Sequence, residues 1–162
     1  MKIKYIIIFL PFSYACIPSV FISSISHQSI EKNSKIYISK FGGISMEENV
    51  FREKLNLALK RKGYITVNNF QKSNYYLFIN FNNHLQKNVE KKSSTDIFLM
   101  ELFLIESKNI SNNSVLPFDR HDAVWVCKIE LGRLDFLKHQ DDIMENILKY
   151  FCNSYYGRRM LL

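Results

Sequence analysis

Asp96-Ile-Phe-Leu-Met-Glu-Leu-Phe-Leu-Ile-Glu106 is the stretch whose reading decides the fold. Led into by a charged loop and rich in branched and aromatic residues, it reads as a long strand. Alternation puts Phe98, Met100, Leu102 and Leu104 on one face. Ile97, Leu99, Phe103 and Ile105 fall on the other, interrupted by Glu101. A strand apolar on both sides belongs inside a sheet that is covered on one face and offers apolar residues on the second. Working outward, Tyr75-Tyr-Leu-Phe-Ile-Asn-Phe81 precedes it across a charged loop and alternates in the same way, with Tyr75, Leu77, Ile79 and Phe81 together. Asp122-Ala-Val-Trp-Val-Cys-Lys-Ile-Glu-Leu131 follows, with Ala123, Trp125, Cys127, Ile129 and Leu131 expected on one face.

Helices flank this strand group. Ser45-Met-Glu-Glu48 has the form of a capping box, in which a hydroxyl accepts from the third amide and a carboxylate reaches back. The helix it opens gathers Phe51, Leu55, Ala58 and Leu59 on one side and runs to Lys60-Arg-Lys62, with Gly63 as a left-handed stop. Residues 134–155 read as one amphipathic helix burying Phe136, Ile143, Met144, Ile147, Leu148 and Phe151, with Gly157 at its end. Shorter strands are expected at 35–40 and 64–67, with a Gly42-Gly43 turn after the first. The order is then β-α-β-β-β-β-α. Hairpin-length connections make the sheet mainly antiparallel, and the expected fold is an α+β two-layer sandwich with both helices on one face. Trp125 is expected as a core anchor between sheet and last helix.

The N-terminus carries an address. Lys2 and Lys4 precede the apolar run Tyr5 to Phe12, and the small residues Ser13 and Ala15 stand third and first before Cys16. The apolar run is far shorter than the roughly 20 residues that span a bilayer. The pattern predicts a signal peptide over 1–15 and a diacylglycerol on the Cys16 sulfur. A secreted protein cleaved at the same bond and an uncleaved N-terminal anchor are the alternatives. Residues 16–34, rich in serine and without sustained period, read as the lipidated cysteine and a flexible tether. The domain proper is expected over 35–157, with a C-terminal tail at 158–162.

The chain has 162 residues and a formal net charge of +7. Removing Lys2 and Lys4 leaves 20 basic against 15 acidic residues, a net +5 that is scattered along the chain. No basic face interleaved with aromatics appears, so nucleic acid is not an expected partner. Cys127 and Cys152 both fall where the sheet meets the last helix. An oxidising compartment allows one disulfide between them, and burial as two thiols is the other reading.

Catalytic patterns are missing from the sequence: no Gly-x-Ser-x-Gly, no phosphate-binding loop and no dinucleotide turn. No Cys/His spacing suggests a metal site, and no cofactor is implied. His27, His84, His121 and His139 are dispersed. Asp119-Arg-His-Asp122 is the densest polar cluster and reads as a solvated loop entering a strand. Asn109-Ile-Ser111 matches a glycosylation sequon, which carries little weight behind a bacterial export signal.

Cys16, Leu59-Lys-Arg-Lys-Gly-Tyr64, Tyr76-Leu-Phe-Ile79, the Val124-Trp125 pair and Asp135 at the region of the last helix together resemble a group of small Gram-negative envelope lipoproteins of unknown function. Ser73-Asn74, where that group usually has Ala-Asp, and the stretch Lys128 to Gly132 depart from the pattern. The layout is also distantly similar to lipopolysaccharide-assembly lipoproteins and to lipoproteins that activate peptidoglycan synthases. The resemblance implies a non-catalytic adaptor, held on the outer membrane by its lipid and binding an envelope protein or polymer from the periplasmic side. Ile17-Pro18 after Cys16 lack the aspartate of inner-membrane retention. The alternatives are a soluble periplasmic carrier holding an apolar ligand against Ile97, Leu99, Phe103 and Ile105, or a small secreted hydrolase using Asp119 to Asp122.

Overall fold

A computed structural model of the protein describes residues 18–39, 45–88, 93–110 and 120–161, with the side chains of 82–88, 93–96 and 120 left aside. Cys16, the rest of the signal sequence, Gly42-Gly43 and Asp119 lie outside the described residues.

The chain forms β1 (Ser19–Ser26), β2 (Lys35–Ile38), α1 (Met46–Arg61), β3 (Ile65–Val67), β4 (Tyr75–Asn88), β5 (Ser93–Glu106), β6 (Ala123–Gly132), α2 (Arg133–Lys138), α3 (Gln140–Tyr150) and β7 (Tyr155–Met160). One seven-stranded sheet runs in the order β3-β2-β4-β5-β6-β1-β7. Pairing is antiparallel from β4 through β7 and parallel where β2 meets β3 and β4. The fold is therefore α+β, with a mainly antiparallel sheet and a helical layer against one face.

That layer and the sheet share one core. Phe51, Leu55 and Leu59 of α1, Phe136 of α2 and Ile143 and Ile147 of α3 pack on Leu77, Ile79, Phe98, Met100, Leu102, Leu104, Trp125, Cys127 and Ile129. Trp125 is fully buried; its indole Nε1 donates to the Tyr150 carbonyl at 3.1 Å, and its ring meets Phe151 edge-on at 4.9 Å between centroids. The expected anchor is thus formed at the junction of sheet and last helix.

The caps of α1 follow the sequence with one change of partner. Ser45 Oγ accepts from the Glu48 amide at 3.2 Å. It is Glu47, not Glu48, that turns back: its own backbone N–H and then the Ser45 hydroxyl hold its carboxyl below the usual carboxylate range. At the other end Gly63 has φ +93°, its N–H donates to Lys60 O and that of Tyr64 to Leu59 O. This is the paired bond pattern that closes a helix with a left-handed residue.

Three expectations are corrected. The tether is the first: Ser19–Ser26 is an inner strand between β6 and β7, with Val20, Ile22 and Ser24 buried in alternation. Buried Ser24 costs little, since its hydroxyl donates to Asn153 O at 2.8 Å. The folded unit therefore begins by Pro18, not at residue 35.

The second correction is the single last helix. His139 adopts a non-helical backbone (φ −117°, ψ 33°) and separates α2 from α3. The break lets Phe136 stack on Phe98 at 4.1 Å and meet Phe51 at 5.5 Å, while Ile143 and Ile147 still face the sheet. Helix α3 stops at Tyr150, and Cys152 turns the chain with φ +57°.

The third concerns the tail: Tyr155–Met160 is the edge strand β7, antiparallel to β1. Gly157 sits inside it, opposite Ile22, where a Cβ would come within 2.7 Å of the Tyr155 hydroxyl. One local detail of β6 also changes. A bulge opposite Leu104/Ile105 swings Ala123 to the far face and leaves Val124 in the main core.

Candidate binding face

Because the helices cover one side only, the far side of the sheet is the natural place to look for a binding surface. Registers across β1, β6, β5 and β4 lay its side chains in rows. The row Ile25, Val126, Phe103, Phe78 is apolar; Ser23, Lys128, Glu101, Asn80 is polar; Phe21, Glu130, Leu99 is mixed.

The four residues expected to form a ligand or partner face do not act as one surface. Phe103 and Ile105 are buried, packed with Tyr76, Phe78 and Ala123 and flanked by Tyr37, Ile110 and Val126. The bulge contributes here by delivering Ala123 to this second cluster. Ile97 and Leu99 remain half-buried, Ile97 opposite Gly132, which has no side chain to cover it. Between the two parts runs the polar row, with Lys128 Nζ 2.7 Å from Glu130 and Asn80 donating to Glu101 at 3.3 Å. The arrangement is a small self-filled apolar cluster at one end and an open mixed surface at the other. It offers a protein or polymer shape and charge, whereas a carrier needs an empty apolar slot.

Cys127 and Cys152 are both free thiols, so the disulfide reading is set aside. Cys127 lies in mid-strand, opposite Ser24 and Leu102. Cys152 sits beyond Phe151, near Tyr64 and Tyr75 and the backbone of Ile30, past the point where Trp125 receives the end of α3. Burial pushes each thiol up to about 12. They behave as small apolar side chains.

His121 and Asp122 are exposed, in a short 3-10 turn leading into β6. Among the described residues no group of three or more His, Cys, Asp or Glu side chains is disposed to hold a metal ion.

One buried cation escaped the sequence reading. Arg52 stands on the inner side of α1, and its guanidinium donates to the carbonyls of Ser39 and Ile79 and lies 5.3 Å from the centre of the Phe81 ring. Burial lowers its pKa, opposed by the charge of Glu48. A cavity of about 350 Å³ opens beside it, lined among others by Tyr37, Asn49, Asn56 and Thr66. The signal was available: Arg52 is three residues before Leu55 and seven before Leu59, within the apolar stripe. Its bonds to Ser39, just past β2, and to Ile79 of β4 make it a strut between helix and sheet.

No protein-family profile matches the chain, and no curated protein matches its sequence. Solved structures do share the fold. The PelC dodecamer from Paraburkholderia phytofirmans is similar with a TM-score of 0.52 at 10% identity, over 84% of this chain and 99% of that one. A DUF4136 family protein from Bacteroides thetaiotaomicron is similar with a TM-score of 0.50 at 7% identity, over 84% of this chain and 98% of that one. At such identities the likeness is one of architecture.

Proposed function

We propose that the protein is a non-catalytic bacterial envelope lipoprotein, anchored through acylated Cys16 and binding another envelope protein or polymer from the periplasmic side of the outer membrane. The observation that carries this reading is Ser13-Tyr14-Ala15-Cys16 behind an apolar run too short to span a membrane. The fold shared with PelC and the DUF4136 protein is compatible with an envelope protein. Binding, as opposed to catalysis, draws support from the open mixed part of the sheet face around Leu99, Glu130 and Phe21. The apolar cluster of Phe103 and Ile105 is filled by the protein's own side chains, which speaks against the carrier reading.

Growth on radiolabelled palmitate tests the anchor: wild type takes up label and Cys16→Ser does not. Label retained by the variant, or absent from wild type, overturns it. Photo-crosslinking from position 99 in intact cells tests the partner, and an adduct that is a distinct envelope component is the expected product. An Asp119/His121/Asp122 alanine series that abolishes a cellular phenotype while leaving the fold intact points instead to the hydrolase.

A further inference from the structure

The strand β1 changes what the anchor does. A tether would hold the domain clear of the bilayer, but Pro18 is already tied into the fold, its carbonyl accepting from the Leu161 amide at 2.9 Å. Only Ile17 separates Pro18 from Cys16. At roughly 3.3–3.6 Å per extended residue, those two steps give the acylated sulfur's residue a reach of about 7 Å. If Cys16 is in the membrane, the Pro18 end of the domain is against it.

The registers say what else lies at that end. Ser19 pairs with Met160, and Phe21 pairs with Glu130, so β6 finishes there at Gly132 and α2 springs from the same place. The start of α1 meets α2 through Phe51, Phe136 and Phe98. Five large apolar side chains are exposed on these elements: Met46 (80%), Leu134 (69%), Met160 (67%), Val50 and Leu137 (41% each). Exposed apolar residues gathered in this way mark a contact surface, whereas scattered ones need no explanation. Arg133 and Lys138 bracket the α2 leucines, with Asp135 and Glu47 also at this end, so apolar contact leads and charge is secondary. The β4–β5 ladder also extends at this end, four pairs past Ile97↔Gly132 to Asn88↔Ser93, with a polar sequence that adds nothing to the apolar contact.

We propose that this end of the domain, with Leu134, Leu137, Met46, Val50 and Met160 as its contact residues, docks on the lipid bilayer that holds the anchor. The contact adds a second attachment to the acyl chains, whose number decides whether anchoring is stable. It also fixes the orientation, so that the sheet face rises from the membrane edge-on with its strands near the normal. This rests on the Cys16 reading above.

The test uses the acylated full-length product purified from membranes, carrying Leu134→Cys, Met160→Cys or, at the opposite end, Ile65→Cys, each bearing an environment-sensitive fluorophore. Cys127 is withdrawn from labelling by burial, and the partly buried Cys152 is replaced by Ser in all three variants. The protein is reconstituted into vesicles of phosphatidylethanolamine and phosphatidylglycerol containing a spin-labelled lipid. Quenching several-fold stronger at 134 and 160 than at 65 is expected. Equal quenching at all three sites, or none at 134, overturns the docking while palmitate labelling leaves the anchor standing. Self-quenching between 134 labels without lipid quenching also overturns it, in favour of a second copy as occupant. Absence of palmitate label removes the anchor and the docking together.

Discussion

Ile22→Ala and Ile25→Ala, made separately, distinguish a strand from a tether. The two residues are three apart in a serine-rich stretch, yet Ile22 is fully buried between β6 and β7 while Ile25 is 55% exposed on the far face of the sheet. Truncating a buried isoleucine typically costs about 2–5 kcal/mol, through lost transfer energy and the cavity that remains. Ile22 pairs with Ile129 on one side and Gly157 on the other, and the cross-sheet partners are held by neighbouring pairs on both strands. The site collapses poorly, which keeps the cost above the low end of that range, at about 3–4 kcal/mol. In a domain of this size one kcal/mol shifts Tm by roughly 2–4 °C, so Ile22→Ala is expected to melt about 6–16 °C below wild type. Ile25→Ala is expected to lie within about 1 kcal/mol of wild type, as surface substitutions do. Urea and thermal unfolding followed by circular dichroism measure both. If the two variants fall within 1 kcal/mol of each other, β1 is not an inner strand, and the short reach of Cys16 goes with it.

Other expectations follow from single contacts. Trp125→Phe removes the indole donor and leaves the Tyr150 carbonyl with the Asn153 amide at 3.0 Å as its partner, a loss of about 0.5–1.5 kcal/mol before any cavity term, read by urea unfolding. Gly63→Ala meets open space, with nothing nearer than Lys32 Cδ at 3.9 Å, so its cost is backbone strain alone, about 1–2 kcal/mol at φ +93°. A loss near zero there means the turn does not hold its left-handed residue. The two thiols make stability depend on alkali. Their folded pKa is raised from 9.0 to about 12, so the unfolded chain releases those protons first. Stability is unaffected by them below about pH 9 and falls as pH rises from 9 towards 12. Cys127→Ala removes part of that slope, and an unchanged slope in the variant refutes the assignment. Asp141→Ala breaks the 2.7 Å bridge to Lys54, but both groups face solvent and the expected change in unfolding free energy is under about 1 kcal/mol.

Sequence alone determined the middle of the molecule. From residue 35 to 132 the alternation of β4, β5 and β6, the cap at Ser45 and the stop at Gly63 are local signals, each written within a few residues of the feature it sets. They suffice for an α+β sandwich with helices on one face. The ends were decided by tertiary structure. In Ser19–Ser26 the period is spoiled by Ser23-Ser24, and the buried serine becomes tolerable only because Asn153 supplies an acceptor from 129 residues away. Tyr155–Met160 has no strand without β1 to pair with, so the two elements stand or fall together. The same holds for the far sheet face. Alternation announces that Ile97, Leu99, Phe103 and Ile105 share a side, but the β4 register sets Tyr76 and Phe78 beside Ile105 and Phe103, and a bulge in β6 brings Ala123 over Ile105. Periodicity reports which way a side chain points. What it meets there depends on strands brought together from opposite ends of the chain.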